Sequence, residues 1–442
     1  MNRIELRDAV SDALGNRRLV WVGTRGDDAE SIVDLPQFEA AYSVIAAMDS
    51  RTATRSASLE QITGARPDLD VYDLDADQRL EAVDQLRSEL LRSLSRPSAM
   101  FTYRPSQFTT GVAFSRLDKC RYLGMFHAHQ SAFEHKPWVE SSLDEIEVPR
   151  IPWRYVADRD QIDARRLLDD GPVMLRRSRT TGGVGLYRVD DPSDVERLWP
   201  SDREAFVSVA PYLEGGVPVN IGAVAWDDGV TVHPASVQLI GIPSCTVRPF
   251  GYCGNDFGAM RQFDPETLDV LQESTVRIGG WLRRLGYRGA FGVDFLVIDG
   301  TPFFTEVNPR FQGSTHASSQ FSVERDESCL LLEHLAAFLR LPAPPSHTVR
   351  RLAQEVGAFA HVVVHHTGDD GHIDPRGLIE RVRQVPGFDR VDVATAPQIL
   401  TERGATVARL TVRDRVTETG FELLDPIATA IADWVAGRSD EA

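Results

Sequence analysis

The spacing of apolar and polar positions changes repeatedly along this chain, and the changes mark its elements. Arg7 to Leu14 reads as a helical run, and Leu19 to Val22 is a short apolar stretch ending at Gly23. An apolar run closed by glycine predicts a buried strand entering a turn. Pro36 to Met48 reads as helical. Leu80, Val83, Leu86, Leu90 and Leu91 recur at three- and four-residue steps and predict a helix over 77–94. This alternation predicts a small α/β domain up to residue 130. Gly23-Thr-Arg-Gly26 lacks the G-x-G-x-x-G spacing of a dinucleotide turn.

Later signals are mostly those of hairpins. Pro172 to Val189 reads strand, glycine-rich loop, strand, and Val217–Ala225 and Thr231–Ile240 flank the turn Asp227-Asp-Gly229. Asp264-Pro265 predicts a helix start, Leu268, Leu271, Ile278, Leu282 and Leu285 form its stripe, and Gly286 closes it. Phe291–Ile298 and Pro302–Val307 then flank Asp299-Gly300, a hairpin whose second strand carries Glu306 and Asn308 on one face. A tight loop pairs Asp294 with Thr305 and turns Glu306 away. One extra residue or a bulge sets Asp294 opposite Glu306. The slipped register is preferred, because it gathers three oxygen ligands of the kind Mg²⁺ accepts. Arg248 to Phe257 reads as a glycine-rich polar loop, and Phe311 to Ser319 as a small, polar, flexible turn. A helix over 327–341 takes Asp326 as its N-cap. After Pro342-Ala-Pro-Pro345 comes a small α+β unit, with strands Phe359–His365 and Ala405–Val412 and a helix Ile427–Trp434.

Composition narrows the classes. The net charge of -17 argues against a nucleic-acid backbone or an anionic membrane surface as partner. Four cysteines without a C-x-x-C pair fit reduced thiols and a cytoplasmic protein. No segment reads as a membrane span or as the apolar core of a signal peptide. All but two of the 48 basic residues are arginines, which makes Lys136 conspicuous and Lys119 its bland counterpart. His361, His365, His366 and His372 have no recognised zinc spacing.

Asp294, Glu306, Asn308 and Arg310, at this spacing, resemble the ATP-grasp ligases, and Glu-Val-Asn-Pro-Arg resembles the motif of biotin carboxylase. The resemblance covers roughly residues 131–330. It implies an ATP-grasp fold of α/β and α+β character, with a Rossmann-like N-terminal domain (1–130) and a small C-terminal α+β domain (346–442). Between them it implies an entry and lid subdomain (131–205) and a subdomain with the metal hairpin (206–342). It further implies ATP and Mg²⁺ as cofactors, with Asp294, Glu306 and Asn308 as metal ligands and Arg310 stabilising an acyl phosphate or carboxylate.

ATP is expected on Lys136, Arg176, Thr180, Thr181, Gly182 and Gly183 at the phosphates, and on Pro211, Tyr212, Leu213 and Glu214 at the nucleoside. The family commonly has a lysine where Arg176 stands, a glutamate at Ala210 and a ribose-binding acid at Val217; Glu214 or Asn220 stands in for the last. Gln312, Gly313, Ser314, Asn255 and Asp256 are expected beside the substrate. The Val-Glu-His that follows in biotin carboxylase is absent, which favours a carboxylate–amine ligase for amino acids or peptides. Small-molecule carboxylate and amine substrates are the expected partners, and a homodimer is compatible with them. A non-catalytic nucleotide sensor and an ATP-grasp carboxylase or kinase are the alternatives.

Overall fold

Five parallel strands form the N-terminal sheet, in the order Arg55–Ser58, Phe38–Ile45, Arg18–Arg25, Ser98–Thr102, Cys120–Tyr122. The computed structural model describes residues 2–46, 55–157, 167–199, 206–393 and 399–439. The stretch expected as a helix over 36–48 is the strand Phe38–Ile45. It lies between two strands and is buried on both faces, so its apolar run carries no strand alternation. The helix Leu80–Ser93 forms as expected and buries Val83, Leu86 and Leu90.

A four-stranded antiparallel sheet follows, in the order Arg154–Val156, Val207–Pro211, Val173–Thr181, Val184–Val189. Leu400–Thr401 pairs with Gly371–His372 and with Ala65–Arg66 in a small three-stranded sheet, and the rest of the chain builds an eight-stranded, largely antiparallel sheet. Its order is Thr301–Asn308, Gly289–Ile298, Val217–Ala225, Val230–Ile240, Tyr252–Asp256, Ala360–His365, Thr406–Val412, Phe388–Val393. The last three strands extend this sheet across the proline-rich stretch at 342–345, so the C-terminal segment shares a sheet with the hairpin region. The polar run 248–257, expected as a loop, supplies the strand Tyr252–Asp256, held between neighbours on both sides.

The helix Pro265–Arg284 covers one face of this sheet. Asp264 caps it by accepting from the Thr267 N–H at 2.7 Å, and Leu268, Leu271, Ile278 and Leu282 are buried against the strands. Burial of such a side chain stabilises by about 1.5–3 kcal/mol. The expected helix 327–341 is shorter, Leu330–Phe338, with Cys329 rather than Asp326 at its cap. Asp326 sits at φ 58 in the turn after a helix the sequence did not suggest, Thr315–Glu324. Its serine- and threonine-rich sequence is poor in helix formers, and it forms because packing buries Ala317 and Phe321.

The opposite face of the sheet carries polar residues in register. Glu306 faces Asp294, Asp294 faces Asn220, and Asn220 faces Ser236. Beside them Gln238 faces Asn255, Asn255 faces His361, and His361 faces Thr411. A register shift falls between Asp294 and Phe295, the slip that puts Asp294 opposite Glu306. Among the described residues, no helix is long and apolar enough to cross a membrane.

Candidate active site

A cavity of about 700 Å³ opens where the N-terminal, four-stranded and eight-stranded sheets meet. Ile151, Trp153, Met174, Leu186, Leu213 and Leu296 make one end apolar. Lys136, Arg176, Asp294, Glu306, Asn308 and Arg310 charge its middle.

The hairpin sets the middle. Asp294 Oδ1 accepts from Asn220 Nδ2 at 2.5 Å, from Gln312 Nε2 at 3.1 Å and from Gln238 Nε2 at 3.3 Å. The Asn308 amide bridges the two acids, donating to Asp294 Oδ2 at 3.0 Å and to Glu306 Oε1 at 3.1 Å. Lys136 donates to Glu306 Oε2. Burial and the neighbouring Glu306 push the Asp294 carboxyl up to about 7. Burial works the same way on Glu306, but Lys136, with Asp294 and Asn308, holds it down at about 2. Two carboxylates face each other here with one ammonium between them and the cavity. That donor set fits a hard divalent cation, which relieves the repulsion that keeps Asp294 protonated.

Arg310 is aimed by its neighbours. It donates to Asn308 Oδ1 and to the Phe311 carbonyl, each at 3.0 Å, and its Nε lies 3.5 Å from Glu134 Oε1. Glu134 in turn accepts from Arg104 at 2.6 Å. Arg176 donates to Glu140 Oε1 at 2.5 Å and to the Thr305 carbonyl at 3.4 Å, and its guanidinium lies 3.8 Å over the Trp153 ring.

Similar proteins share parts of this chain. A family model described as an ATP-grasp domain matches residues 199–314. The chain carries an ATP-grasp domain. The formate-dependent phosphoribosylglycinamide formyltransferase of Sodalis glossinidius is 23% identical over 281 residues, 61% of this chain and 67% of that protein. The N5-carboxyaminoimidazole ribonucleotide synthase of Vibrio cholerae is 24% identical over 54% of this chain and 61% of its own length. The chain thus spans about two thirds or less of such relatives.

Solved structures match far more of it. The N5-carboxyaminoimidazole synthase of Aspergillus clavatus, in complex with ADP and 5-aminoimidazole ribonucleotide, superposes with a TM-score of 0.61 at 15% identity. The match covers 94% of this chain and 99% of that one. The biotin carboxylase domain of the Hydrogenobacter thermophilus 2-oxoglutarate carboxylase, with MgADP, gives a TM-score of 0.62 at 13% identity over 89% and 86%.

Most of the residues singled out by sequence, inside and outside the matched stretch, line this cavity. Gly182 and Gly183 form the turn of the lid hairpin. Gly183 has φ 80, and any Cβ there would strike the Phe250 carbonyl, so the turn seats on the 246–251 loop only as glycine. The side chains of Thr180 and Thr181 lie outside the described residues. Pro211, Tyr212 and Leu213 line the apolar end, and the Tyr212 N–H donates to the Pro172 carbonyl at 2.8 Å.

Glu214 is not a lining residue: its side chain is 75% exposed, on the Arg188 side of the strand. Asn220 is not free for a ribose either, since both ends of its amide are taken by Asp294, Gln312 and Ser314. Gln312 and Ser314 line the cavity while bracing Asp294 through that same network, and Gly313 packs under the Tyr252 ring. Asn255 faces the cavity, accepting from the Tyr252 hydroxyl and donating to Ser236 Oγ at 2.9 Å.

Asp256 points the other way. It accepts from the backbone of Ala259 at 2.8 Å, Val416 at 2.7 Å and Thr417 at 3.2 Å, and so ties down the C-terminal segment. Adjacent residues of a strand face opposite sides, so Asn255 and Asp256 could not share one site. Sequence reasoning missed Glu134 and Glu140, the acids that hold Arg310 and Arg176, and Trp153 beneath Arg176. It also missed the wall of Arg25, Asp70, Tyr103 and Arg248. None of these sits in a motif; they meet only in space.

Proposed function

We propose that this protein is an ATP- and Mg²⁺-dependent ligase that activates a carboxylate as an acyl phosphate and joins it to an amine, with an amino acid or peptide as substrate. The observation that carries the reading is the paired Asp294 and Glu306 facing Lys136, Asn308 and Arg310 across one cavity with an apolar end.

Asp294 and Glu306 would hold the metal, with the Asn308 side chain beside both acids. Bound there, Mg²⁺ supplies charge neutralisation for the phosphates. Lys136 is released from Glu306 to the phosphates, and the N–H groups of the Gly182–Gly183 turn close over them. Arg310, aimed by Asn308 and Glu134, stabilises the negative charge that grows on the transferred group. The apolar end excludes water, which would otherwise hydrolyse an acyl phosphate.

The test is ADP release with Mg·ATP and paired panels of carboxylates and amines, with hydroxylamine to trap the acyl phosphate as a hydroxamate. ADP and hydroxamate should form with a carboxylate present, and amide only when an amine is added. A second reading, a nucleotide sensor without turnover, draws on Arg176, whose charge is spent on Glu140 and Trp153. ADP binding without ADP release across both panels would favour the sensor.

A further inference from the structure

The cavity has a third part that the nucleotide and the metal residues do not use. Thr24, Arg25, Asp70, Tyr103, Arg248 and Thr406 wall its far end. They come from the N-terminal sheet, the turn after residue 67, the 246–252 loop and the C-terminal segment.

The charges in this chamber are unbalanced in an informative way. Arg248 is paired with Asp68. Arg25 is not paired with any acid among the described residues. Its Nη2 donates to Thr406 Oγ1 at 2.8 Å, and its buried Nε has no hydrogen-bond partner among the described residues. Arg25 acts on Asp28 through charge alone, and Arg409 already binds that acid at 2.8 Å, so the cost of the partly buried guanidinium falls when an anion arrives. Asp70 is the complement. One of its oxygens accepts from the Tyr72 N–H at 2.9 Å, and it forms no ion pair among the described residues. The two groups are neighbours, since the Val71 N–H reaches Thr24 Oγ1 at 3.4 Å, yet they do not touch each other. A cation and an anion held side by side and apart leave a slot for a compact dipole of opposite sense.

We infer that this chamber binds the amine substrate as a free α-amino acid, its carboxylate on Arg25 and its ammonium on Asp70. The inference rests on the ligase reading above. The orientation follows from Arg310. The Phe311 N–H donates to the Tyr103 carbonyl at 3.3 Å, so Tyr103 and Arg310 share a wall. Arg104 lies 3.9 Å over the Tyr72 ring and donates to Glu134, the acid beside Arg310, which puts the turn carrying Asp70 on the Arg310 side of the chamber. The ammonium therefore lies toward the acyl phosphate and the carboxylate away from it, as an acceptor requires. In the step, Asp70 takes one proton from the ammonium and returns it to solvent. The amine nitrogen attacks the acyl carbon, the C–N bond forms, and the C–O bond to phosphate breaks. The second proton leaves with the phosphate.

The experiment measures binding, not turnover, so its failure is separable from failure of the ligase reading. Wild-type protein saturated with Mg·ADP is titrated with an amino-acid panel by calorimetry. The best binder is compared with its carboxamide, which lacks the anion, and with its deaminated acid, which lacks the cation. Each loss should weaken binding at least about tenfold. In Arg25→Gln the amino acid and its carboxamide should bind alike, and in Asp70→Asn the amino acid and its deaminated acid should bind alike. Mg·ADP affinity, measured on the same variants, should stay within about twofold and so reports intact folding. Arg25→Lys, which keeps the charge, should retain part of the discrimination. The proposal is overturned if no amino acid binds, if the carboxamide and deaminated acid bind as well as the parent, or if the variants discriminate as wild type does.

Discussion

Two buried charge clusters lie on the polar face of the eight-stranded sheet, and they behave differently. At the seam with the N-terminal domain, Arg409 donates to Asp28 at 2.8 Å and also to Asp27, and all three are closed off from solvent. At the hairpin, Asp294 and Glu306 face one another over a cavity with Lys136 on only one of them. The first cluster sets its cation against two acids and lines no part of that cavity. The second leaves an acid near neutrality at its edge and room for a ligand. Paired charges walled off from a cavity hold structure together; charges left open to one mark chemistry.

That contrast can be broken by substitution. Glu306→Gln should cut Mg·ATP turnover by at least about 100-fold in a protein that still folds, with a modest fall in urea midpoint because Lys136 loses its partner. Turnover within a few-fold of wild type would remove the hairpin from the active site. Arg409→Met should do the reverse, costing about 3–5 kcal/mol in chemical denaturation by leaving two buried acids without their cation. A loss below about 1 kcal/mol would mean the seam tolerates unpaired acids, and the contrast would collapse.

A smaller effect concerns pH. Asp294, ordinarily near 3.9, is raised to about 7, so the folded protein favours its neutral form. Its contribution to stability is complete at acid pH and is lost as pH rises through about 7. A bound cation acts in the opposite sense, since it needs the carboxylate. The rise in Tm caused by Mg·ADP should therefore be larger at pH 8 than at pH 6, and Asp294→Asn should flatten that difference. An equal rise at both values would separate Asp294 from the metal. The smallest effect is expected outside the cavity. Glu214→Gln should shift ADP affinity by less than about twofold, and a tenfold loss would return Glu214 to the ribose.

The hairpin was legible because local rules decide it. Alternation puts Glu306 and Asn308 on one face, and the turn restricts Asp294 to two registers, of which one makes a site. The error at 36–48 arose where that rule fails: a strand buried on both faces has no alternation to read. Asn255 and Asp256 were misjudged as a pair because the polar run 248–257 looked like a loop; once it is a strand, only one of them can face the cavity.

Local order, then, was the contribution of the sequence by itself: the lid hairpin, the capped helix Pro265–Arg284 and three acceptors on adjoining strands. Tertiary structure alone decided the partners. Glu140 reaches Arg176 across 36 residues, Lys136 reaches Glu306 across 170, and Arg25 reaches Thr406 across 381. The reason is physical. Strand and helix periods act over a few residues, whereas the pairing of a buried charge depends on which distant segment the packed core brings against it.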